Sequence, residues 1–372
     1  MAAPTPSARR RPLGRPDAPA DAFTYLLDRF AKHRHSSSDE YLIPTKLAQL
    51  MVRILNPHPG NRVHDPSCGL GNLLVAAGEH AAAAGNGSLA TITGRASTVR
   101  TWSFSTMNIA IHGMKADIGD GPPADHTEVD AIPGQFDIVL LNPPFGMKTW
   151  SLPASRPSRP WRYGEPSPHN ATFAWLQTAA EALAPGGRAA VVMPYTAVFA
   201  QTTRERKIRG AMIEHGVVRC VIALPSHLFR ETTVPVTVWI LAHAGDEAGR
   251  NVLLIDARAA ARKDGPTHRV LTELDCRTVI DAYHGWLDGS AVFPIVIDNI
   301  TATTATVVEI RENDYDLQPV TYLDQHRHVA TDQRSRALLH ALPNDLVRLD
   351  AAARAADLAL DRCLEGLALW TP

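Results

Sequence analysis

Short β-rich runs alternate with helical segments along most of this chain, and that alternation constrains its fold more than any other feature. Strands are predicted over 62–65, 90–93, 136–141, 189–193, 217–224 and 234–241, with helices between most of them. Repeated strand–helix–strand units build a parallel sheet that helices cover on both faces. Only residues 225–233 precede the last of these strands, too few for a crossover helix, so we predict that it runs antiparallel to its neighbour. The predicted fold class is α/β, a doubly wound and mostly parallel sheet.

The two ends of the chain depart from this pattern. Residues 1–20 are rich in proline and arginine, which predicts a disordered basic arm, and 21–39 predict a helical lead. We assign the α/β domain to 40–245, its C-terminal part to 246–330, and a leucine-rich helical extension to 331–372. A basic and aromatic loop, 147–170, interrupts the domain, and long loops of this kind are often functional.

The charge balance limits the classes of partner. Lys and Arg number 37 against 38 Asp and Glu, for a formal net charge of -1. No global basic field therefore draws the chain to nucleic acid, so any such contact must be local or supplied by a partner. Apolar runs are too short for a membrane span and the N-terminus lacks the apolar core of a signal peptide, which predicts a cytoplasmic protein without a membrane partner. The four cysteines form no Cys-x-x-Cys pair, and we expect no metal site.

A glycine-containing loop, Asp65-Pro66-Ser67-Cys68-Gly69-Leu70-Gly71, follows the first strand directly. Glycines at positions 69 and 71 let the backbone approach a ligand at the carboxyl edge of the sheet, where open α/β sheets bind their ligands. A tight strand-to-helix turn explains the same residues. The loop alone therefore leaves both interpretations open.

A second motif, Asn142-Pro143-Pro144-Phe145, ends the strand 136–141. The two prolines fix the backbone, so that the Asn142 amide and the Pro143 carbonyl can face one point. Two neutral acceptors suit the two hydrogens of an exocyclic amine that attacks a methyl group, and Phe145 supplies a stacking face for a planar base. A proline turn after a buried strand would need neither Asn142 nor Phe145.

Asp-Pro-x-x-Gly-x-Gly followed by Asn-Pro-Pro-Phe resembles the N6-adenine DNA methyltransferases. More specifically, the chain resembles the modification subunits of type I restriction–modification systems from residue 25 to residue 322. The matching segments are 41–45, 107–113, 161–164, 173–177, 185–188, 224–229 and 313–317.

This resemblance implies a Rossmann-like fold and the transfer of a methyl group from S-adenosylmethionine to adenine N6 in double-stranded DNA. It implies that Asn142, Pro143, Pro144 and Phe145 form the catalytic site. The implied cofactor-binding residues are Tyr41, Pro44, Asp65, Pro66, Gly69, Gly71 and Asp120. A specificity subunit is the implied partner, because no target-recognition domain is visible, and a restriction subunit is left open.

The chain departs from the family pattern at three places. Gly94-Arg95-Ala96 stands where the family usually carries an acidic residue for the ribose hydroxyls, which puts cofactor affinity in question. Asp117 and Asp120 could both approach the adenine of the cofactor, and we favour Asp120. The family's helical N-terminal domain is reduced here to the lead at 21–39.

Two rival functions remain at this stage. The departure at Ala96 and the short N-terminal region keep open a catalytically silent subunit that binds only DNA or partners. A methyltransferase acting on a protein glutamine amide uses a similar Asn-Pro-Pro step, but Phe145 and the type I segments argue against it.

Overall fold

The computed structural model describes residues 42–84, 91–121, 128–129, 132–152, 160–199, 202–245 and 251–323. The expected basic arm, helical lead and helical extension lie outside the described residues. By its internal contacts the chain divides into a unit that ends at Val320 and a second unit from Thr321 onward, of which only 321–323 are described. The architecture below is that of the first unit.

Within the described ranges, the helices and strands have the following bounds. The helices are α1 (Thr45–Leu55), α2 (Asn72–Ala84), α3 (Val99–Ile111), α4 (Thr172–Glu181), α5 (Thr203–Glu214), α6 (Glu273–Leu287) and α7 (Val307–Glu312). The strands are β1 (Arg62–Asp65), β2 (Thr91–Gly94), β3 (Phe136–Leu141), β4 (Leu183–Pro194), β5 (Val218–Ala223), β6 (Val236–Ala242), β7 (Asn251–Asp256), β8 (Arg262–Lys263), β9 (Arg269–Val270), β10 (Ile295–Ile297) and β11 (Ile300–Thr306).

One sheet of the described chain holds nine strands in the order β10-β11-β7-β5-β6-β4-β3-β1-β2. In the part of the sheet ordered β4-β3-β1-β2, every neighbouring pair of strands is parallel, and β7 is parallel to β5. Strand β6 is antiparallel to both β4 and β5, which confirms the predicted reversal. The sheet does not stop at β6, however, since β7, β11 and β10 extend it.

The sequence from 287 to 322 shows no clear strand or helix pattern and therefore predicts an irregular stretch, and that prediction is wrong. It contains β10, β11 and α7. The strand β11 reads Ile-Thr-Ala-Thr-Thr-Ala-Thr, so it lacks the apolar run that marks the other strands. Its threonines are β-branched and favour extended backbone. This strand preference was available in the sequence, but the segment was not predicted as a strand because it is polar.

Helices pack on both faces of the sheet, as the alternation predicted. Ile138 and Leu140 of β3 belong to a hydrophobic core that also contains Leu47 of α1 and Leu74 of α2. Residues between them on the strand point to the opposite face, where α4 packs against β3 and β4. Both faces of the central strands are therefore buried, and all seven residues of β6 are buried.

A buried arginine ties the end of β4 to a downstream loop. Arg209 of α5 is 1% exposed, and its guanidinium donates to the carbonyl of Tyr315 at 2.6 Å and to that of Ala197 at 3.1 Å. Ala197 lies in the turn that follows β4, and Tyr315 has a left-handed φ of 58°. The arginine satisfies carbonyls that would otherwise be buried without donors.

We predict that Arg209→Met lowers the free energy of unfolding by about 2–4 kcal/mol, because the buried carbonyl of Ala197 and the half-buried carbonyl of Tyr315 lose their donor. Arg206 lies one turn earlier on α5 and pairs with exposed Asp314 at 3.3 Å, so Arg206→Met is a matched control with a change of at most about 0.5 kcal/mol. Urea denaturation of both variants checks this. Equal losses in the two variants would show that the buried guanidinium contributes no more than the exposed one.

Candidate functional site

Six parallel strands, β1 to β5 and β7, end at one edge of the sheet, which we call the carboxyl edge. Strand β1 is paired on one side with β2 and on the other with β3. The chain therefore leaves β1 in one direction and returns on its other side, which opens a crevice between the loops after β1 and β3. Open α/β sheets bind ligands at such a point. The structure thus brings the loop 65–71 and the motif 142–145 to neighbouring strand ends.

Two backbone hydrogen bonds hold the loop after β1 against the end of β2. The Arg95 N–H donates to the Asp65 carbonyl at 3.0 Å, and the Cys68 N–H donates to the Arg95 carbonyl at 2.8 Å. Gly69 and Gly71 have φ values of 51° and 79°, in the left-handed region that favours glycine. Glycine at these two positions allows the tight turn and also leaves room for a ligand, so the two interpretations of this loop are compatible.

A side chain of α3 also supports this loop, and sequence reasoning did not assign it a role. The Asn108 amide group donates to the carbonyl of Leu70 at 2.9 Å and to Oδ1 of Asn72 at 3.1 Å. Asn108 is buried, at 2% exposure. It lies in the matching segment 107–113, which was the available signal.

The Asp65 carboxyl group is buried at the end of β1, at 1% exposure. Its Oδ1 accepts a hydrogen bond from the Ser67 N–H at 3.0 Å. Burial has the larger effect and raises the pKa of Asp65 from 3.8 to about 8. A positively charged group placed beside this carboxyl would favour its ionised form.

A cavity of about 290 Å³ opens at the carboxyl ends of β1 and β2. Ala96, which is buried, lines it together with both candidate carboxylates, Asp117 and Asp120. The Asp117 carboxylate accepts from the Gly119 N–H at 2.9 Å, and the Asp117 carbonyl accepts from the Gly94 N–H at 2.9 Å. Asp117 therefore shapes the wall of the cavity.

The motif after β3 presents polar and aromatic groups at the same edge. Pro143 is buried, Oδ1 of Asn142 is a buried atom, and Pro144 and Phe145 are half-buried. The Phe145 ring packs against the core, and its centroid lies 5.8 Å from that of Phe229 at an interplanar angle of 74°. The motif thus ends β3 with a buried amide oxygen and an aromatic ring that contacts Phe229.

Phe229 is a site residue that sequence reasoning did not single out. It follows β5, which is separated from β3 by β4 and β6 in the sheet. Chain order alone therefore could not place it beside Phe145. Its position in the matching segment 224–229 was the signal that could have found it.

The segment expected to close over a cofactor is described only in part. Tyr41 lies outside the described residues. Pro44 precedes α1 and lines a second cavity, of about 160 Å³, together with Leu228 and Leu271. Pro44 is therefore close to the loop after β5.

Aromatic residues of the loop 147–170 pack on one another in its described parts. Trp150 and Trp161 meet edge to face at 5.8 Å, and the Trp150 indole donates to the Ser167 carbonyl at 2.9 Å. Phe173 and Trp175, on the helix α4 that follows the loop, are buried. These contacts give the tryptophans a structural role.

His64 is a buried scaffold residue. Its Nδ1 lies 2.9 Å from the Thr93 hydroxyl, and its ring stacks on Phe136 at 4.2 Å. Burial lowers the pKa of His64 to about 4, so the ring is neutral at physiological pH. These contacts give His64 a structural role between β1 and its neighbouring strands.

Residues 15–330 match the model of the family described as N-6 DNA Methylase. This chain belongs to the N-6 DNA methylase family. A type I restriction enzyme HindI methylase subunit from Haemophilus influenzae is 32% identical over 317 residues, which cover 84% of this chain and 69% of that subunit.

Solved structures also resemble this N-6 DNA methylase. A type I restriction-modification methyltransferase subunit from Streptococcus thermophilus has a TM-score of 0.68 and 28% identity, over 82% of this chain and 63% of that one. A putative class I S-adenosylmethionine-dependent methyltransferase from Listeria monocytogenes, at 17% identity and a TM-score of 0.53, shares the fold over 66% of this chain and 74% of that one. The chain spans about two thirds of the length of these two type I relatives and about half the length of others, such as a MjaIX methylase subunit from Methanocaldococcus jannaschii. In its described part, no helix is long and apolar enough to cross a membrane.

The raised pKa of Asp65 predicts a pH-dependent stability. Between an unfolded value near 4 and the folded value of about 8, the native state binds more protons than the unfolded state. The free energy of unfolding should therefore lose this contribution as pH rises through that window. Asp65→Asn keeps an acceptor for Ser67 but cannot ionise. The melting temperature of this variant, relative to that of the wild type, should therefore increase as the pH rises from about 5 to about 8, as differential scanning calorimetry would measure.

Asp137→Asn on neighbouring β3 is the matched control for this calorimetric comparison. The Arg62 guanidinium beside Asp137 lowers the pKa of that carboxyl, so its titration lies below the tested window. Its profile should run parallel to the wild type. A parallel profile for Asp65→Asn as well would contradict the account of a costly buried carboxylate.

Proposed function

We propose that this chain transfers a methyl group from S-adenosylmethionine to N6 of adenine in DNA, as the modification subunit of a type I-like restriction–modification system. The observation that supports the proposal is the Asn142-Pro143-Pro144-Phe145 motif at the carboxyl end of β3, where the Phe145 ring packs against Phe229. The names of its relatives as type I methylase subunits support the same reading. A silent subunit would not need this set of groups, and family membership favours the enzyme.

The groups at the end of β3 suit an adenine amine. Oδ1 of Asn142 and the carbonyl of Pro143 would accept its two hydrogens, which raises electron density on the nitrogen. Phe145 would stack on the ring, and Phe229, nearly perpendicular to Phe145, would border it. The amine is inaccessible to in-line attack inside a duplex, so the base must first leave the helix.

The residues at the ends of β1 and β2 fit S-adenosylmethionine, which supplies an already activated methyl group when bound. The methionine end carries an ammonium group, and this cation would favour the ionised form of the buried Asp65 carboxyl. Pro66, Gly69 and Gly71 would form the loop around this end. The 290 Å³ cavity would receive the adenosine.

We assign the remaining cofactor contacts to Asp120, Tyr41 and Pro44. Asp120, which lines the cavity, would accept from the adenine amine of the cofactor. Tyr41 and Pro44 would close over the bound molecule. Ala96 offers no acceptor to the ribose hydroxyls.

The choice of DNA sequence would come from a separate specificity subunit. The net charge of -1 gives the chain no general attraction to DNA. Relatives named as subunits of type I enzymes support an assembly of this kind, and a restriction subunit would be a further partner.

The first test removes an acceptor for the substrate amine. Asn142→Ala should abolish methyl transfer and leave S-adenosylmethionine binding unchanged, because the side chain contacts the base and not the cofactor. Asn61→Ala is the control, because Asn61 lies just before β1, at the end of that strand away from the carboxyl edge. This variant should keep both methyl transfer and S-adenosylmethionine binding. Incorporation of labelled methyl groups and calorimetric cofactor binding measure the two quantities.

Phe145→Ala extends this test to the base itself. It should weaken base capture by about 1–3 kcal/mol if stacking contributes as expected. Methyl transfer at the wild-type rate by the Asn142→Ala protein would show that the catalytic site has been placed wrongly.

The second test concerns Ala96. Ala96→Glu should supply the missing acceptor and tighten S-adenosylmethionine binding more than tenfold, since hydrogen bonds to charged groups contribute about 1.5–3 kcal/mol. Ala96→Gln has the same length without the charge and should gain less. Titration calorimetry compares them, and wild-type binding with no gain in either variant would mean that the ribose is held elsewhere.

A further inference from the structure

The strands β8 and β9 form a small hairpin, residues 262–270, that pairs with no other strand of the described chain. It follows β7 and so stands at the carboxyl edge. Residues 262–267 are exposed. We call this element the basic hairpin.

Two like charges face each other across the basic hairpin. Lys263 and Arg269 are directly opposed in its antiparallel register, so their side chains leave the same face. Neither forms an ion pair with a described residue. Like charges in this arrangement repel and destabilise the pair unless an anion lies between them.

The charge around the pair is also positive. Arg262 is exposed beside Lys263. Asp264, which provides the acidic side chain of the hairpin, lies 3.9 Å from Arg230 of the preceding loop. Glu231 lines the same cavity as Arg230 and the half-buried Arg269, so the exposed positive charge of the hairpin lies mainly on Arg262 and Lys263.

A hydrogen bond ties the basic hairpin to the loop that carries Phe229. The Arg269 N–H donates to the His227 carbonyl at 3.0 Å, two residues before Phe229. Phe229 in turn borders Phe145. The cationic pair is thus connected through a short stretch of backbone to the groups proposed to hold the base.

We propose that Lys263 and Arg269 bind backbone phosphates of the DNA strand that carries the target adenine. This inference rests on the proposed function and adds to it a DNA-contacting element. A phosphate between the two side chains would offset their repulsion. The hairpin would also explain how a chain of net charge -1 makes a local contact with a polyanion.

Salt dependence of binding tests the proposal directly. For the full chain and a short labelled duplex, Lys263→Gln and Arg269→Gln should each reduce the slope of log affinity against log salt by about 0.9, and the double variant by about twice that. When the salt is raised from about 50 to about 200 mM, the factor by which affinity falls should therefore be about 3.5 times smaller for each single variant than for the wild type. Lys115→Gln removes an exposed charge near the start of the segment that runs beside β2, and its slope should equal that of the wild type.

Folding is checked on the same proteins. Both single variants should melt at or slightly above the wild-type temperature, because each removes the cross-strand repulsion. A lower melting temperature in both would contradict the repulsion.

The remaining outcomes separate this inference from the proposed function. Unchanged slopes in the hairpin variants, with methyl transfer intact, would overturn the hairpin's role alone. Competition by inorganic phosphate at the pair without any effect on the DNA slope would identify a small-anion site and overturn it as well. A wild-type chain that, in the presence of its specificity subunit, neither binds duplex at low salt nor methylates DNA would overturn both proposals.

Discussion

The parallel pairing of β1 with β2 on one side and β3 on the other is the constraint on which the site depends. It places the loop 65–71 and the motif 142–145 at adjacent strand ends although they lie far apart in sequence. Two hydrogen bonds between the loop and Arg95 then fix the position of the cavity relative to β1. Without this pairing, the glycines and the Asn-Pro-Pro-Phe motif would be unrelated turns.

Charge changes along the carboxyl edge in the order that the proposed ligands require. At β1 lies a buried carboxyl with a raised pKa, suited to a cation. At β3 lie neutral oxygen acceptors and an aromatic pair, suited to an uncharged base. Beyond β7 stands a hairpin with opposed cations, suited to phosphate. A methyl donor, a base and a DNA backbone would thus each meet a matching environment.

The sequence predicted those parts of the fold that depend on local pattern. Short β-rich runs located β1, β3 and β5, helical spacing located most helices, and the short connection before β6 predicted its reversal. Polar β11 escaped because β-branched threonines carry its strand preference without an apolar run. Phe229 and the opposed pair Lys263 and Arg269 could not be read from the sequence, because their meaning comes from strand register and from approaches across the sheet.

The central claim is methyl transfer to adenine N6, and the most direct measurement identifies the methylated product. The full chain, supplied with its specificity subunit, would be incubated with S-adenosylmethionine carrying an isotopic methyl label and with unmethylated DNA. Digestion to nucleosides and mass spectrometry would follow. The account predicts the label in N6-methyladenine; label confined to cytosine, to a glutamine side chain of protein, or to no product would contradict it.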